Sequence, residues 1–222
     1  MTFRLLGPKE ITFKAGQFVS FEVTNHKTGQ LVSRPYSILS PPSQRCSIAL
    51  LLNLVPGGPG STYLFSLKED DAAQFKGPAG NFYIRDEPMK DLLFVATGTG
   101  IVPIWSMLHD RLERGFARSI TLFWGLRSQK DLYYQDELRA LVARHANFTS
   151  LTTLSRPEPG WAGTTGRVTR LVEERMPSVS NLAVYLCGNS GMIKDVSDII
   201  NTKGLCPIYR EKYYDDTGAP DD

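Results

Sequence analysis

Five short segments of this chain combine residue types that can hold a phosphate, a flat ring, or both. Arg34-Pro35-Tyr36-Ser37 offers a guanidinium fork suited to phosphate, an aromatic face and a small hydroxyl, at the start of an expected strand. Gly57-Gly58-Pro59-Gly60-Ser61-Thr62 lets the backbone approach a ligand closely, and the helix expected after it would offer free N–H groups to an anion. Gly77-Pro78-Ala79-Gly80-Asn81-Phe82 reads most simply as a turn between strands. Thr97-Gly98-Thr99-Gly100-Ile101-Val102-Pro103 follows a hydrophobic run and opens a helical pattern, with proline where a dinucleotide fingerprint has its third glycine. Cys187-Gly188-Asn189-Ser190-Gly191-Met192 again joins a strand to a helix, which puts a thiol where such sheets bind ligands. Taken singly, each has a plain structural explanation: a strand edge, a capped loop, a turn, a small buried cysteine.

The elements that must position these segments fall into two halves. Residues 1–88 carry short strands at 18–23 and 47–54, turns at 26–29 and 41–43, and one short helix at 61–67 opened by a Ser/Thr cap. Short strands with turn punctuation imply a small antiparallel β-barrel. Residues 89–222 alternate: strands at 92–96, 120–125, 148–154 and 182–187, helices at 104–114, 136–145, 168–174 and 192–203. That alternation implies a parallel sheet with helices on both faces, an α/β Rossmann-like domain. The boundary is expected within residues 84–90, and the acidic tail 215–222 is expected to be loose.

Composition narrows the class. A length of 222 residues suits two domains, and 41% hydrophobic with 22% charged residues is an ordinary globular balance. A net charge of +2 without a basic run argues against a nucleic-acid partner. No apolar stretch reaches membrane-span or signal-peptide length. Cys46, Cys187 and Cys206 stand apart without a CxxC pair, and His26, His109 and His145 share no ligand spacing. The expectation is a metal-free cytoplasmic protein with free thiols.

The order RPYS, G-x-x-S, GPxGxF, GTGxxP and CGxxxM resembles the ferredoxin–NADP reductase family, and the likeness runs from about residue 13 to residue 213. The resemblance implies a six-stranded antiparallel FAD-binding barrel followed by a nicotinamide-binding domain, with the flavin between them. It implies that Arg34, followed by Pro35, binds the FAD pyrophosphate, that Tyr36 packs on the flavin ring, and that Ser37 bonds near flavin N5. The backbone at Leu52 and Asn53 would meet the pyrimidine edge, and Gly60, Ser61 and Thr62 would hold the pyrophosphate. GPxGxF at residues 77–82 would favour FAD over FMN. Thr97, Gly98, Thr99, Gly100 and Pro103 would line the path of the nicotinamide dinucleotide, together with Gly188 and Met192. Cys187 would sit beside the reacting nicotinamide carbon as a packing and polarising group. Glu211-Lys212-Tyr213 resembles the family's E-x-aromatic ending, with Glu211 near Ser37 and Cys187 and Tyr213 covering the flavin face.

The activity so implied is hydride exchange between NADP(H) and FAD. Single electrons would pass to or from a ferredoxin or another iron–sulfur or flavodoxin-type carrier. Arg127, with Ser128, stands where an acidic residue would bond the ribose hydroxyls of NADH, and Arg156 and Arg167 match positions where NADPH-using relatives bind a 2′-phosphate; three such guanidinium groups would favour NADPH over NADH. The rival readings are an NADH-dependent reductase component of an oxygenase, an electron-transfer subunit of a larger complex, and a regulatory nucleotide binder that has lost its flavin. Two departures stand out. The family has one more barrel strand ahead of the segment at residues 3–13, which implies either an open barrel edge or a true start upstream of this sequence. It also has Gly-Asp after the short helix, where this chain has Asp70-Asp71.

Overall fold

The computed structural model describes residues 1–85 and 90–213. In the first half, β1 (Thr2–Arg4) pairs antiparallel with β4 (Ser47–Ala49). Beside them β2 (Phe18–Thr24) runs antiparallel between β3 (Leu31–Ser37) and β5 (Lys76–Ala79). The described residues thus form two small antiparallel sheets of two and three strands, where the family likeness implied six strands.

The sequence of β2 explains its place. FVSFEVT alternates, so Val19, Phe21 and Val23 turn inward while Glu22 and Thr24 face solvent. Phe21 is fully buried and meets Phe3, Tyr36, Tyr63 and Phe75 at centroid distances of 5.7, 5.9, 6.4 and 5.9 Å. Burying one such ring is worth about 1.5–3 kcal/mol. Helix α1 (Pro59–Ser66) closes this core with Leu64.

Four local expectations change. The RPYS segment ends β3 instead of opening a strand, because Leu31 and Val32 already pair with Thr24 and Val23. The strand expected over residues 47–54 stops at Ala49; Leu50 still donates to the Met1 carbonyl at 2.9 Å, and the chain then leaves the ladder toward α1. That helix starts at Pro59, whose fixed φ suits a first helical position, and Gly58 precedes it without any side-chain cap. Lys76–Ala79, expected as part of a connection, is itself a strand. Asp70 does take the left-handed conformation (φ 67°) that the family gives to glycine.

The second half is a six-stranded parallel sheet in the order β11-β10-β6-β7-β8-β9. Its strands are β6 (Asp91–Thr97), β7 (Ile120–Leu126), β8 (Phe148–Leu154), β9 (Thr164–Thr165), β10 (Leu182–Gly188) and β11 (Ile208–Lys212). The central β6 and β10 are apolar runs buried on both faces, as a covered parallel sheet requires. Helices α2 (Ile101–Glu113) and α3 (Gln135–Arg144) cover one face. Helices α4 (Val168–Arg175) and α5 (Ser190–Lys203) cover the other. Helix α2 begins three residues before the expected 104, since Pro103 is welcome in a first turn that needs no partner for its nitrogen. The chain leaves β6 toward β7 on one side and returns to β10 on the other. The carboxyl ends of β6 and β10 are therefore the crevice where such sheets bind ligands.

The two halves share one core. Ala15, Leu39 and Phe82 of the first half pack in the same apolar cluster as Met107 and Leu108 of α2. Ser106 in α2 donates its buried hydroxyl to the Ser40 carbonyl at 2.8 Å, and the Arg85 N–H donates to the buried Tyr185 hydroxyl at 3.0 Å. The expected boundary falls partly on residues 86–89, outside the described residues, as does the acidic tail. Gly16 sits at the joint with φ 102°, and a methyl there would lie 2.1 Å from the Phe82 carbonyl oxygen and 2.3 Å from Met107 Cε. Gly16→Ala is expected to destabilise the protein by about 1–3 kcal/mol in urea unfolding. Gly7→Ala, where nothing lies within 4 Å, should stay near wild type in the same measurement.

Candidate active site

Strand β3 delivers the first group. Its register with β2 sets Ser37 against Phe18 and Arg34 against Phe21, so Arg34, Tyr36 and Ser37 reach the same end of the sheet as α1. Arg34 is half-buried, with Nη1 donating to the Ser33 carbonyl at 3.1 Å, and Pro35 is exposed between it and Tyr36. Gly60 lies directly against this segment: a Cβ there would be 2.4 Å from the Tyr36 hydroxyl and 2.9 Å from Arg34 Cβ. Only a bare backbone fits so close to the arginine. Ser61 is buried, and its hydroxyl accepts from Val55 N–H at 3.0 Å, which ties the preceding loop to the helix start. Thr62 and Asn53 are exposed and Leu52 packs on the barrel core.

The second group is an interlock of two turns. Gly98 to Gly100 form a turn of 3-10 helix between β6 and α2. A Cβ on Gly100 would be 2.2 Å from the Cys187 carbonyl oxygen, so the turn after β6 and the end of β10 meet backbone to backbone. Thr97 Oγ1 accepts from Asn189 N–H at 3.3 Å, and Asn189 caps α5 by accepting from Met192 N–H at 2.7 Å. The Gly98 carbonyl accepts from Trp124 Nε1 at 3.0 Å and from the Tyr133 hydroxyl at 3.1 Å. Thr99 is partly exposed in this turn, whereas Pro103 and Met192 are buried, Met192 in the core under β10.

The third group joins the halves. The Tyr213 hydroxyl donates to Ser37 Oγ at 2.8 Å, and it is also hydrogen-bonded with the Cys187 thiol. Tyr213 is held there by its own N–H, which donates to the Gly188 carbonyl at 3.1 Å. Cys187 is fully buried and pairs in register with Glu211 of β11. Burial pushes the Cys187 thiol well above its usual range, and the neighbouring Glu211 carboxylate pushes it further. Burial likewise raises the Glu211 carboxyl and, together with Cys187, the Tyr213 phenol. Cys187 is thus a neutral thiol at physiological pH, suited to packing and hydrogen bonding and unsuited to attack as a thiolate.

The three arginines stand on neighbouring strand ends. Arg127 follows β7 and Arg156 follows β8, joined by Arg156 N–H donating to the Arg127 carbonyl at 2.8 Å. Arg167 follows β9 and opens α4, and all three are exposed. The structure therefore gathers Ser37, Cys187, Glu211 and Tyr213 at the domain junction, and sets the arginines apart at the far end of the same sheet edge. Sequence reasoning missed Trp124 and Tyr133, which pin Gly98, and gave no role to Asn189 of the fifth segment, which ties β6 to α5. Asn189 carries a legible signal, an N-cap residue just before a helical run. Trp124 has none, because a tryptophan in an apolar strand looks like core.

The residues present fit a flavin dinucleotide and a nicotinamide dinucleotide. The bare-backbone approach of Gly60 to Arg34 is a cradle a side chain would fill, and so is that of Gly100 to Cys187. Comparison with known proteins agrees. Residues 1–84 match the oxidoreductase FAD-binding domain, and residues 94–198 the oxidoreductase NAD-binding domain. The chain is 35% identical to the reductase component of a phenol 2-monooxygenase from Pseudomonas sp. (strain CF600), covering 93% of this chain and 59% of that one. It spans about three fifths of the length of such oxygenase reductase components, 59% in that case and 62% in a naphthalene dioxygenase system reductase from Ralstonia sp.. Among solved structures, the Amycolatopsis cytochrome P450 reductase superposes with a TM-score of 0.84 at 25% identity, over 95% of this chain and 63% of that one. A ferredoxin NADP+ reductase from Neisseria gonorrhoeae shares the fold with a TM-score of 0.77 at 24% identity, covering 96% and 92%. Ferredoxin–NADP reductase B of Sorangium cellulosum (strain So ce56) is 33% identical over 90% of this chain and 83% of its own length. With both domains matched, the chain belongs to the ferredoxin–NADP reductase family.

Proposed function

We propose that this chain is a flavoprotein oxidoreductase that moves hydride between a nicotinamide dinucleotide and FAD, and exchanges single electrons with a ferredoxin-like iron–sulfur or flavodoxin-type carrier. The observation that carries the reading is the meeting of Ser37, from the FAD-binding half, and Cys187, from the NAD-binding half, on the one hydroxyl of Tyr213. Bound FAD would take electrons in a pair from the nicotinamide and pass them on one at a time. The work left to the protein is positional. Ser37 supplies a hydroxyl at the flavin edge, Cys187 a neutral thiol beside the nicotinamide, and Glu211 a carboxyl that orients or relays a proton. Tyr213 encloses the junction against water. Arg34, with Gly60, Ser61 and Thr62, holds the FAD pyrophosphate, and the turn Gly98–Gly100 with Gly188 lines the nicotinamide dinucleotide.

The second reading, a reductase component of an oxygenase, is supported by the 35% identity to the phenol 2-monooxygenase component, and it uses the same site with a different acceptor. The exposed arginines on three adjacent strand ends support NADPH over NADH. Free Cys46, Cys187 and Cys206 support a cytoplasmic setting. Among the described residues no helix is long and apolar enough to cross a membrane.

The test is anaerobic stopped-flow mixing of the FAD-loaded protein with NADPH or NADH. Rapid bleaching of the flavin's visible band is expected, and no bleaching with either donor would overturn the proposal. Cys187→Ala should slow that bleaching about tenfold or more with little change in nicotinamide affinity; equal losses in both would reduce Cys187 to a wall of the pocket. Replacing Arg156 and Arg167 together by Ala should cut kcat/KM for NADPH by roughly a hundredfold and leave that for NADH nearly intact, since each guanidinium–phosphate bond contributes about 1.5–3 kcal/mol. Glu211 gives a pH signature. Its folded carboxyl holds a proton more tightly than the unfolded chain does, so its effect on stability worsens as pH rises out of the ordinary carboxylate range. Glu211→Gln should therefore melt at a higher temperature than wild type at neutral pH, with the gap closing in acid.

A further inference from the structure

The strand that brings Glu211 and Tyr213 to the junction has little of the sheet to hold it. Among the described residues β11 is an edge strand, paired with β10 on one side only, and none of its five residues is buried. Its place therefore depends on what packs against its faces. Side chains alternate along a strand, so Tyr209 and Glu211 share a face. Tyr209 and Tyr213 both pack on the core that α2 covers. Tyr209 is the grip on that face: its ring stacks on Tyr185 with centroids 4.8 Å apart and planes 22° from parallel. Tyr185 is itself fixed, buried in β10 with Phe82 and Phe94 at 6.0 and 5.8 Å, and its hydroxyl accepts the Arg85 N–H at 3.0 Å.

Arg85 links this stack to the other half of the molecule. Its guanidinium carbon lies 5.8 Å from the Tyr209 ring centroid and 4.2 Å from that of Tyr83. Its Nη2 donates to the Asn81 carbonyl at 3.1 Å, which fixes the orientation of the fork. Tyr83 is held in turn from the FAD-binding half. Lys14 Nζ, from the loop before β2, also lies 4.2 Å from its centroid. The Lys14 N–H donates to Gln17 Oε1 at 2.9 Å, and Gln17 Nε2 donates to the Gly80 carbonyl at 3.1 Å. A planar, delocalised cation is attracted to both rings and covers them by its breadth, which an ammonium on a flexible stem does not reproduce. We infer that Arg85 is a positioning residue for hydride transfer: held between Tyr83 and Tyr209, it sets where β11 stands and so aligns Glu211 and Tyr213 with Ser37 and Cys187. The inference rests on the hydride reading above. The Ser106–Ser40 bond fixes α2 to the first half, whereas Arg85 is a joint that ends on the strand leading into the site.

The test compares Arg85→Lys, Arg85→Ala, Tyr209→Leu and the double variant Arg85→Ala/Tyr209→Leu as FAD-loaded proteins. One readout is the labelling of Cys187 by N-ethylmaleimide, followed by peptide mass so that Cys46 and Cys206 are counted separately. Cys187 is buried and hydrogen-bonded with Tyr213, so its labelling reports how often that end of the molecule opens. Arg85→Lys keeps the charge and loses the planar fork. It should label Cys187 about tenfold faster than wild type, with Cys46 labelling and the urea midpoint unchanged. The other readout is the limiting rate of flavin reduction by NADPH. It should fall about tenfold at an unchanged half-saturating concentration, since a misplacement of about 1 Å can cost roughly a hundredfold. In the double variant the losses should not add, and its rate should match that of the slower single variant. Wild-type labelling and reduction in Arg85→Lys and Arg85→Ala would overturn the inference and leave the activity standing. So would additive losses in the double variant, or faster labelling matched by a fall in the urea midpoint. A wild type whose flavin is never reduced would overturn the hydride reading, and this inference with it.

Discussion

The site depends on one close approach: the backbone of Gly100 against the backbone of Cys187 and Gly188. Two strands that are neighbours in the sheet, β6 and β10, end in turns that lead to helices on opposite faces. For both turns to open onto one crevice, they must nearly touch. A side chain at residue 100 would force them apart, and the thiol of Cys187 would leave its place between the sheet and Tyr213. The hydrogen bonds around this contact reinforce it from both directions. Trp124 and Tyr133 hold Gly98 from the β7 side, and Thr97 holds Asn189 from the β6 side. A buried donor left without its acceptor costs about 1–3 kcal/mol, so these bonds are restraints as well as contacts.

The chemistry of the junction follows from what is excluded as much as from what is present. Cys187 has no exposure, and its closest acidic neighbour, Glu211, is itself held toward its neutral form by burial. Both groups are therefore poor nucleophiles and good hydrogen-bonding walls. This fits a reaction in which two cofactors exchange electrons and the protein fixes their distance. The exposed side chains of Arg127, Arg156 and Arg167 stand elsewhere, at the rim.

Much of this was legible before any coordinates. The apolar runs of β6 and β10 can only be central strands of a covered sheet, and the glycine-rich turns after them mark the crevice. The family likeness expected Ser37, Cys187, Glu211 and Tyr213 near one another, and in the fold the Tyr213 hydroxyl meets Ser37 while Cys187 pairs in register with Glu211. What the sequence hid has physical causes. The strand at residues 47–54 stops at Ala49, because continuation depends on a partner and no local propensity supplies one. Lys76–Ala79 looks like a turn, since Gly-Pro is turn chemistry, yet an edge position tolerates a proline that donates no hydrogen bond.

The shared core has a consequence for how the protein is made. Ala15, Leu39 and Phe82 are covered by α2, which the ribosome supplies only after the whole first half has emerged. Chains begin to fold from the amino end during synthesis. Here the nascent barrel carries an uncovered apolar face, with Ser40 awaiting Ser106, until more than a hundred residues have been joined. Its final shape is thus a late event in translation, and the barrel waits for the sheet.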